Sequence, residues 1–349
     1  MNLKIHTKSR AYELQTEDRT SLLLAGLSEG LDLPYACATG TCGTCKAKLI
    51  SGNVTDNWAN APGKAKLNAD AGEVLLCQCS ALTDGEFEIL VPDFVYRTDP
   101  GTILPRRLNG VVTSWRTLVS DVALWEVELS EVCEFNAGQF ALISFSGVDG
   151  YRAYSMVDFD RSTRKLTFLT KKTPEGKLTN ALFSENPVGR TVQVVAPLGR
   201  AIFSPGLKKN ILCIAGGSGI AGIMSILARA TQEGYFEQYK GYVFFGVRTM
   251  QDAFFLEELS AFKLASDKGL EIVIGLSAVA ATDEDKAQYP SLSFDFGMIH
   301  EIAAKHMEGK YKNVQVYLAG PAPSVEASIR QLVITAKLDP KLIAYDKFS

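Results

Sequence analysis

The first part of the chain alternates apolar and polar positions in short runs that predict β-strands. Residues 3–6 and 11–15 alternate as a half-buried strand pair does, and residues 47–50 and 87–91 form further strand-like runs. Between these pairs, the segment Thr20-Ser-Leu-Leu-Leu-Ala-Gly-Leu27 is typical of a short capped helix. The pattern therefore predicts a small α+β unit that ends at the last of these runs.

The middle of the chain changes to a series of short β-runs with turns between them. Repeated strands at that spacing are typical of a barrel. The runs predicted as strands are residues 110–115, 122–129, 140–145, 165–170 and 191–195. This part is expected to form an antiparallel β-barrel.

The last part of the chain alternates strands with helices. Apolar runs at 211–215, 242–247, 270–276 and 314–318 predict strands, and three of them are followed by helix-like segments. This βαβ arrangement predicts an α/β domain with a mostly parallel sheet covered by helices.

These changes of pattern divide the chain into units, as its length of 349 residues also suggests. Prolines at 92, 100 and 105, in a segment without clear periodicity, indicate a linker. The predicted multidomain organisation is 1–92 for the α+β unit, 93–107 for the linker, 108–207 for the barrel and 208–349 for the α/β domain.

The charge balance argues against a nucleic-acid partner. The formal net charge is -3, and no cluster of Lys and Arg stands out. Residues 1–92 carry 8 Lys and Arg against 11 Asp and Glu, whereas the remainder carries 28 of each. An acidic face of the first unit is compatible with docking of a basic partner, although a solvated surface is the commoner explanation of so small an excess.

The hydropathy pattern also argues against export and against a membrane span. Residues 1–6 alternate like a strand and contain no apolar signal-peptide core. Residues 211–228 contain no charge, but Gly216-Gly-Ser-Gly219 divides them into a strand-like run and a helix-like run. The expectation is a cytoplasmic protein with no membrane partner.

Three cysteines in the first unit have a spacing that predicts an iron-sulfur cluster. Cys37, Cys42 and Cys45 follow a C-x4-C-x2-C pattern, which with a distant fourth cysteine is the plant-type 2Fe-2S spacing. Gly40 and Gly43 fit this prediction because a loop that wraps round bridging sulfides needs positive φ angles. A zinc site is expected to show paired C-x2-C knuckles, and an odd total of seven cysteines argues against structural disulfides.

Two neighbouring thiols, Cys77 and Cys79, can supply the fourth ligand, and spacing alone does not choose between them. The segment Leu75-Leu-Cys-Gln-Cys79 resembles the ligand strand of plant-type ferredoxins, in which an apolar run leads into Cys-Gln. That resemblance implies Cys77 as the ligand, a ferredoxin-like β-grasp fold for residues 1–92, and Cys79 as a spare buried thiol.

In the barrel, the segment Tyr151-Arg-Ala-Tyr-Ser-Met156 stands between two companion motifs, Phe135-Asn-Ala-Gly-Gln-Phe140 and Gly176-Lys-Leu-Thr179. Together these motifs resemble the flavin domain of the ferredoxin-NADP reductase superfamily. The resemblance implies a bound FAD with contacts from Arg152, Ala153, Tyr154, Ser155, Gly176, Lys177, Leu178 and Thr179.

The chemistry of three of these residues suits that role. Arg152 has a guanidinium that can bind a pyrophosphate through two hydrogen bonds. Tyr154 offers an aromatic face to an isoalloxazine ring, and Ser155 offers a hydroxyl for a hydrogen bond near flavin N5. Ser155 is therefore also a predicted catalytic residue.

A glycine-rich turn, Gly216-Gly-Ser-Gly-Ile-Ala221, joins a predicted strand to a predicted helix. Such a turn lets backbone amides and a helix N-terminus approach a phosphate. With Gly246-Val-Arg-Thr249 and Tyr317-Leu-Ala-Gly-Pro-Ala-Pro323, it resembles the pyridine-nucleotide half of the same superfamily. The nucleotide contacts that this implies are Gly217, Ser218, Gly219, Arg248, Gly320 and Pro321.

The chain departs from that family at three positions, where Ser218, Gly222 and Ala319 replace a common threonine, proline and cysteine. Serine keeps the hydroxyl. The missing cysteine bears on hydride transfer, because in relatives that thiol lies near the nicotinamide. The segment after Val247 holds Arg248 but no second basic group for a 2'-phosphate, so NADH is predicted over NADPH.

The C-terminal segment Tyr345-Asp-Lys-Phe-Ser349 resembles that of relatives in which a terminal aromatic ring covers the flavin where nicotinamide enters. This resemblance implies a flavin-contacting, catalytic role for Phe348. A frayed terminus is the alternative.

The resemblance covers essentially the whole chain, in the order ferredoxin domain, flavin domain, nucleotide domain. This order is similar to that of the reductase components of multicomponent ring-hydroxylating dioxygenases and monooxygenases. It implies an enzyme in which electrons pass from NADH to FAD, to the 2Fe-2S cluster and to a Rieske or di-iron terminal oxygenase component or its ferredoxin. The alternatives are a reductase for a non-oxygenase partner and an electron carrier whose nucleotide site has decayed.

Overall fold

Three large β-sheets of different type follow one another along the chain. The computed structural model describes residues 2–17, 19–81, 86–148, 150–174 and 176–348. Within these ranges, nothing is described for the side chains of Glu86, Lys177, Asp267 and Phe348. The first sheet is mixed, the second antiparallel and the third parallel, which confirms the predicted fold class of β-grasp unit, antiparallel barrel and α/β domain.

The first sheet forms the β-grasp unit around one short helix. Its elements are β1 (Asn2–His6), β2 (Ala11–Gln15), α1 (Leu22–Ser28), β3 (Lys46–Ser51), β4 (Val54–Asp56), β5 (Glu73–Leu75), β6 (Cys79–Ala81) and β7 (Glu86–Leu90). The strand order is β2-β1-β7-β3-β5, and β4 pairs separately with β6. Helix α1 begins as predicted, because Ser21 Oγ accepts a hydrogen bond from Leu24 N at 3.3 Å and Leu22, Leu23 and Leu27 are buried.

The second sheet closes into the predicted barrel. Its elements are β8 (Arg106–Val119), β9 (Val122–Glu134), β10 (Phe140–Phe145), β11 (Arg152–Ser155), β12 (Ser162–Lys171), α2 (Lys177–Ser184) and β13 (Thr191–Leu198). The strand order is β11-β10-β13-β8-β9-β12, and an isolated bridge between Met156 and Phe168 joins the two ends of this sheet. Trp125 fills the interior, where its Nε1 donates a hydrogen bond to Thr170 Oγ1 at 2.8 Å.

The third sheet is parallel throughout and carries helices on its faces. Its elements are β14 (Asn210–Gly216), α3 (Ile220–Gln232), β15 (Gly241–Val247), α4 (Leu256–Ser266), β16 (Leu270–Leu276), α5 (Asp283–Gln288), β17 (Ser293–Phe296), α6 (Ile299–His306), β18 (Val314–Pro321), α7 (Ala322–Arg330) and β19 (Ile343–Phe348). The strand order is β17-β16-β15-β14-β18-β19. The hydrophobic pattern does not predict β17 and β19, because these are the two edge strands and are less buried than the four between them.

No helix within the described ranges has the length and apolar character needed to cross a bilayer. The uncharged stretch 211–228 divides between β14 and α3, and Gly217–Gly219 form a short 3-10 turn between them. The glycine turn therefore separates two ordinary buried elements, as the sequence predicts.

The segment predicted as a linker runs along the β-grasp unit. Its Val95 carbonyl accepts a hydrogen bond from Tyr12 Oη at 2.7 Å, and its Tyr96 carbonyl accepts one from Asp32 N at 2.9 Å. Further along, the Pro105 carbonyl accepts a hydrogen bond from Ser28 Oγ at 2.9 Å. These bonds hold the connection against the first unit up to the start of β8.

One apolar core extends from the β-grasp unit into the barrel. It contains the buried leucines and isoleucines of the first unit together with Phe140, Leu142, Val195 and Leu198 of β10 and β13. Apolar burial is the main favourable contribution to such an interface, so the first unit is docked directly on the barrel.

Candidate functional site

The four cysteines predicted as ligands lie together in two close pairs. Cys37 Sγ lies 3.2 Å from Cys42 Sγ, and Cys45 Sγ lies 3.3 Å from Cys77 Sγ. All seven cysteines, each within the described ranges, are free thiols, and no three ligand-type side chains of the described residues surround a single point. Two thiol pairs suit a two-iron cluster, in which each iron takes two thiolates and the bridging sulfides, better than a single zinc ion.

The position of Cys79 differs from that of Cys77, although only Gln78 separates them. Cys77 pairs with Cys45, whereas Cys79 begins strand β6 and is 4% exposed. Burial raises the pKa of the Cys79 thiol to about 12. The structure thus brings Cys77 into the group of four, and its role as the fourth ligand stays a prediction.

The loop between the thiols directs backbone donors at sulfur. Gly40 has φ +90° and Gly43 φ +78°, as the wrapped loop requires. The amides of Thr39 and Cys42 both lie 3.4 Å from Cys37 Sγ. Hydrogen bonding from Cys42 and these neighbours lowers the pKa of Cys37 to about 4. Donors of this kind stabilise thiolate charge and hence favour metal binding.

The residues of the predicted flavin motif lie on β11, at the end of the barrel sheet. Tyr154 is half-buried and meets Trp125 edge to face, with ring centroids 5.6 Å apart. Burial raises the pKa of Tyr154 to about 12, so its hydroxyl stays neutral. Arg152 is partly buried and its Nη1 donates a hydrogen bond to the Tyr151 carbonyl at 3.0 Å.

Ser155 lies where the barrel meets the α/β domain. It is 6% exposed, and a Cβ built on Gly222 of α3 would lie 3.6 Å from its Oγ. Since 3.6 Å is an ordinary contact distance, an alanine Cβ at 222 would fit, and close approach does not require glycine there. A second contact crosses the same boundary, because Gly138 N donates a hydrogen bond to Ser225 Oγ at 2.8 Å.

The second flavin motif, Gly176 to Thr179, forms the start of α2. Gly176 is the N-cap, and no described side chain caps this end of the helix. Thr179 Oγ1 instead accepts a hydrogen bond from Thr173 N at 3.2 Å, and Leu178 is buried in the same core that Tyr154 contacts. The helix amides of α2 are therefore oriented for an anionic group such as a pyrophosphate, while the Lys177 side chain lies outside the described residues.

The two predicted nucleotide segments on β14 and β18 touch each other. A Cβ on Gly219 would lie 2.3 Å from the Ala319 carbonyl oxygen, and Gly320, at φ +146°, lies beside Gly216. A Cβ on Gly216 would lie 3.4 Å from Pro321 Cδ. Glycine is therefore required at Gly219 by close approach of two backbones, and Gly217 and Ser218 lie in the turn between β14 and α3.

Arg248 lies at the same edge, because β14 and β15 are parallel neighbours with Gly216 opposite Gly246. Its side chain is exposed. Asp252, four residues further along, is hydrogen-bonded within its own turn. Its Oδ2 accepts hydrogen bonds from Thr249 N at 3.0 Å and from Thr249 Oγ1 at 2.8 Å.

The C-terminal segment is part of the sheet. Residues Ile343–Phe348 form β19, parallel to β18, with Phe348 opposite Pro321 and Asp346 opposite Ala319. The backbone is thus not frayed through Phe348, whose side chain lies outside the described residues, as does Ser349. Burial raises the pKa of Asp346 to about 7, although the residue keeps some solvent contact.

A group of residues that the sequence does not point to joins the cluster loop to the barrel. Tyr35, two residues before Cys37, accepts a hydrogen bond on its Oη from Gly199 N at 2.9 Å. Arg200 Nη2 lies 2.6 Å from Asp32 Oδ1 and 2.8 Å from the Leu33 carbonyl, and its guanidinium stacks over the Tyr35 ring at 5.4 Å. Asp32 and Arg200 lie in no recognised motif. Only their contact across the domain boundary shows that they help to hold the cluster loop against the barrel.

The C-terminal strand lies near the same junction. Burial raises the pKa of Tyr35, and the Asp346 carboxylate is close enough to add to the effect. The cluster loop and the turn after β13 therefore meet at this junction, and the end of β19 lies close enough for Asp346 to act on Tyr35 electrostatically.

Three domain families match the chain in the order of its sheets. Residues 5–82 match the 2Fe-2S iron-sulfur cluster binding domain, residues 109–203 the oxidoreductase FAD-binding domain, and residues 213–330 the oxidoreductase NAD-binding domain. The three predicted cofactors, 2Fe-2S cluster, FAD and NAD, are thus confirmed at the level of family.

Several known proteins are similar to this chain over nearly its whole length and nearly the whole of their own. A ferredoxin–NAD(P)+ reductase of Metapseudomonas resinovorans is 32% identical over 90% of both chains. The ferredoxin–NAD+ reductase component of the alkene monooxygenase system of Xanthobacter autotrophicus is 30% identical over 94% of this chain and 95% of its own. The solved ferredoxin reductase in carbazole 1,9a-dioxygenase superposes with a TM-score of 0.83 at 27% identity, over 100% of this chain and 99% of that chain.

The matched ranges cover parts of all three sheets, and the similar proteins align over nine-tenths or more of the chain. We conclude that the chain belongs to the family of ferredoxin–NAD(P)+ reductases with FAD and a plant-type 2Fe-2S cluster that act as the reductase components of oxygenase systems.

Proposed function

We propose that the chain is an NADH-dependent reductase that passes electrons through FAD and a 2Fe-2S cluster to a terminal oxygenase component or to the ferredoxin that serves it. When bound, FAD accepts two electrons as a hydride and the cluster carries electrons one at a time. The observation that carries the proposal is the junction at which Gly199 and Arg200 hold Tyr35, two residues before the first cluster cysteine. This contact fixes the cluster loop against the barrel that holds the flavin motif.

The residues of the first unit and of the barrel have separate tasks. Cys37, Cys42, Cys45 and Cys77 hold the irons. Arg152 and the N-terminal amides of α2 bind the flavin pyrophosphate, because both present donors to an anion. Tyr154 packs against the isoalloxazine ring, Ala153 supports it from the same strand, and Ser155 donates a hydrogen bond near N5.

The residues of the α/β domain bind the nicotinamide nucleotide. Gly217, Ser218 and Gly219 admit its phosphates to the turn before α3, and Gly320 and Pro321 line the opposite side of this turn. Phe348 is the residue proposed to cover the flavin where the nicotinamide enters. Its backbone pairs with Pro321 in β18.

The nucleotide preferred is NADH. The end of β15, which would meet the adenosine ribose, is followed by Arg248. The nearby Asp252 forms a capping box with Thr249. Ala278 N donates a hydrogen bond to the Arg248 carbonyl at 2.9 Å, and the residues beside it contribute no second basic group for a 2'-phosphate. Hydride-transfer rates with both nucleotides test this, and a preference for NADPH would contradict it.

The partner is an oxygenase component of the Rieske or di-iron type. Support comes from the two types of system to which similar proteins belong, a carbazole dioxygenase and an alkene monooxygenase. A partner outside the oxygenases would need only a one-electron acceptor that docks at the same cluster loop.

Anaerobic reduction by NADH tests the proposed path. On mixing with one equivalent of NADH, flavin absorbance should bleach first and the reduced-cluster electron paramagnetic resonance (EPR) signal should follow. An electron carrier with a decayed nucleotide site would leave NADH unoxidised. Addition of purified candidate oxygenase components then identifies the partner as the one that reoxidises the cluster.

The domain limits and the location of the protein belong to the same proposal. The units are 1–92 for the ferredoxin domain, 93–107 for the connection, 108–207 for the FAD domain and 208–349 for the NAD domain, and limited proteolysis would test them. A cytoplasmic location is supported by the cysteines of the described residues, none of which forms a disulfide, because disulfides are rare in reducing compartments. Cell fractionation would test it.

A further inference from the structure

A lysine from outside the cysteine loop reaches the cluster site. Lys66 Nζ donates a hydrogen bond to the Cys42 carbonyl oxygen at 2.8 Å, and Cys42 is one of the four cluster cysteines. The side chain lies at the surface. A full positive charge is therefore held on the backbone carbonyl of a residue whose thiolate would bind iron.

The segment that carries Lys66 is held firmly against the loop. It is a 3-10 turn, Pro62–Lys66, whose Gly63 N donates a hydrogen bond to the Gly40 carbonyl at 2.8 Å. A Cβ on Gly63 would lie 2.7 Å from that same carbonyl oxygen and 2.9 Å from Gly43 N, so the two backbones are in direct contact. A Cβ on Gly43 would in turn meet Lys66 Cδ at 3.0 Å, which places the lysine stem across the loop.

We propose that Lys66 raises the reduction potential of the 2Fe-2S cluster. Reduction adds one negative charge to the cluster, and a nearby cation stabilises the reduced form more than the oxidised form. The hydrogen bond to the Cys42 carbonyl fixes the position of this cation, and the amides of the same loop already donate to sulfur. The inference rests on the proposed role of the four cysteines and adds a residue that sets how readily NADH can reduce the cluster.

The same turn contains an internal comparison. Lys64 lies two residues earlier and carries the same charge, but its Nζ pairs with Asp56 Oδ2 and also donates to the Ala59 carbonyl at 3.3 Å. Its charge is therefore balanced locally by a carboxylate. If proximity to the cluster matters, the two lysines should differ in effect although they are equal in charge.

The experiment is a redox titration of the cluster in the full-length protein, followed by EPR at one fixed, low ionic strength. In Lys66→Gln, the ratio of reduced to oxidised cluster at a given ambient potential should fall about tenfold, which is ~59 mV for a one-electron couple. Lys66→Arg, which keeps the charge, should stay close to the unsubstituted protein. Lys64→Gln, the matched control, should shift the ratio by much less than Lys66→Gln.

An unchanged potential in Lys66→Gln, or an equal shift in Lys64→Gln, would overturn the proposal. Iron content and visible absorbance of each variant report whether the cluster is present, and Lys66→Met provides a second neutral variant that keeps the stem over Gly43. Loss of the cluster in both neutral variants would assign Lys66 a structural role instead. Reduction of the unsubstituted protein by NADH in the same samples tests the proposed function separately from the potential.

Discussion

The cluster site and the flavin–nucleotide site are built in opposite ways. Three of the four thiols proposed to bind the cluster come from one loop, Cys37 to Cys45, and the fourth follows a short strand. The proposed flavin–nucleotide site is assembled from β11, the start of α2, the turn after β14 and the ends of β18 and β19. The first site depends on local backbone conformation and on metal binding, whereas the second depends on how two domains pack.

Because the two sites are built differently, they should be sensitive to different substitutions. A cluster loop can be damaged by the loss of one thiol, because each thiolate bond holds iron directly. The flavin–nucleotide site has no bond of that strength, and its weakest points are places where backbones touch, such as Gly219 against Ala319. Variants at the two sites should therefore separate cluster content from nucleotide oxidation.

The largest effect is expected at the fourth cluster thiol. Cys77→Ser should abolish the visible absorbance of the cluster, because it removes the partner of Cys45, while flavin content stays unchanged. Cys79→Ser, two residues away, is the matched control and should keep the cluster, since that thiol lies in β6. Absorbance and iron analysis of both variants decide the assignment, and the reverse outcome would move the ligand to Cys79.

The next effect is expected at the contact between the two nucleotide segments. Gly219→Ala would place a Cβ 2.3 Å from the Ala319 carbonyl oxygen, so the turn before α3 must shift, at a cost of about 1–3 kcal/mol. NADH oxidation with ferricyanide should fall by roughly tenfold or more, while cluster absorbance remains normal. Gly206→Ala is the control, because a Cβ there would meet nothing within 4 Å. Full activity in Gly219→Ala would show that the two segments do not need this contact.

A smaller effect is expected at the junction that joins the two sites. Arg200→Gln removes the contacts with Asp32 and with the Leu33 carbonyl. The ion pair is half exposed, at 50% and 55%, so its loss should weaken docking by ~0.5–1 kcal/mol and slow reduction of the cluster by the flavin roughly threefold. NADH oxidation with ferricyanide should not change.

Arg190→Gln is a suitable control for this variant, because Arg190 also lies on the barrel but donates to the Ser146 carbonyl, away from the cluster loop. Stopped-flow absorbance separates the flavin and cluster phases. Equal slowing of both phases, or slowing in the control, would mean that the junction does not position the cluster.

The smallest effect concerns Asp346, which lies near Tyr35 at this junction. Its pKa is raised to about 7 by burial, so between roughly pH 4 and pH 7 the folded state binds a proton that the unfolded state has released. Its contribution to stability is therefore full below that window and is lost as pH rises through 7. The free energy of unfolding of Asp346→Asn should therefore fall less than that of the unsubstituted protein when the pH rises from about 5 to about 8. The expected difference is about 1–2 kcal/mol.

Thermal unfolding of the full-length protein and of the variant at both pH values measures this difference in stability. Asp283→Asn on α5 is the control, because the Asp283 side chain is fully exposed and should not alter the dependence. The same pH dependence in Asp346→Asn and in the unsubstituted protein would show that this carboxyl does not titrate in the range given.

Much of the architecture can be predicted from the sequence because its signals are local. The alternation of apolar positions predicts the central strands of all three sheets, since a buried strand must be apolar on its inward faces. It does not predict β17 and β19, because an edge strand with one neighbour needs less apolar surface. The glycines of the cluster loop and of the turn after β14 are also visible, because each is needed for a backbone conformation that other residues disfavour.

The sequence by itself determined the order of the three units and the chemistry that each brings, because ligand spacing, motif residues and strand periodicity are properties of short stretches of chain. Only the tertiary structure decided which thiols pair, that Arg200 meets Asp32, that Lys66 reaches the Cys42 carbonyl and that the C-terminal strand lies beside Ala319. Apart from the Cys37–Cys42 pair, these contacts join residues separated by 24 to 168 positions. Neither Arg200 nor Lys66 has a sequence signature of its own. They arise because burying the shared apolar core brings the surfaces together, and polar side chains then find partners that no local pattern specifies.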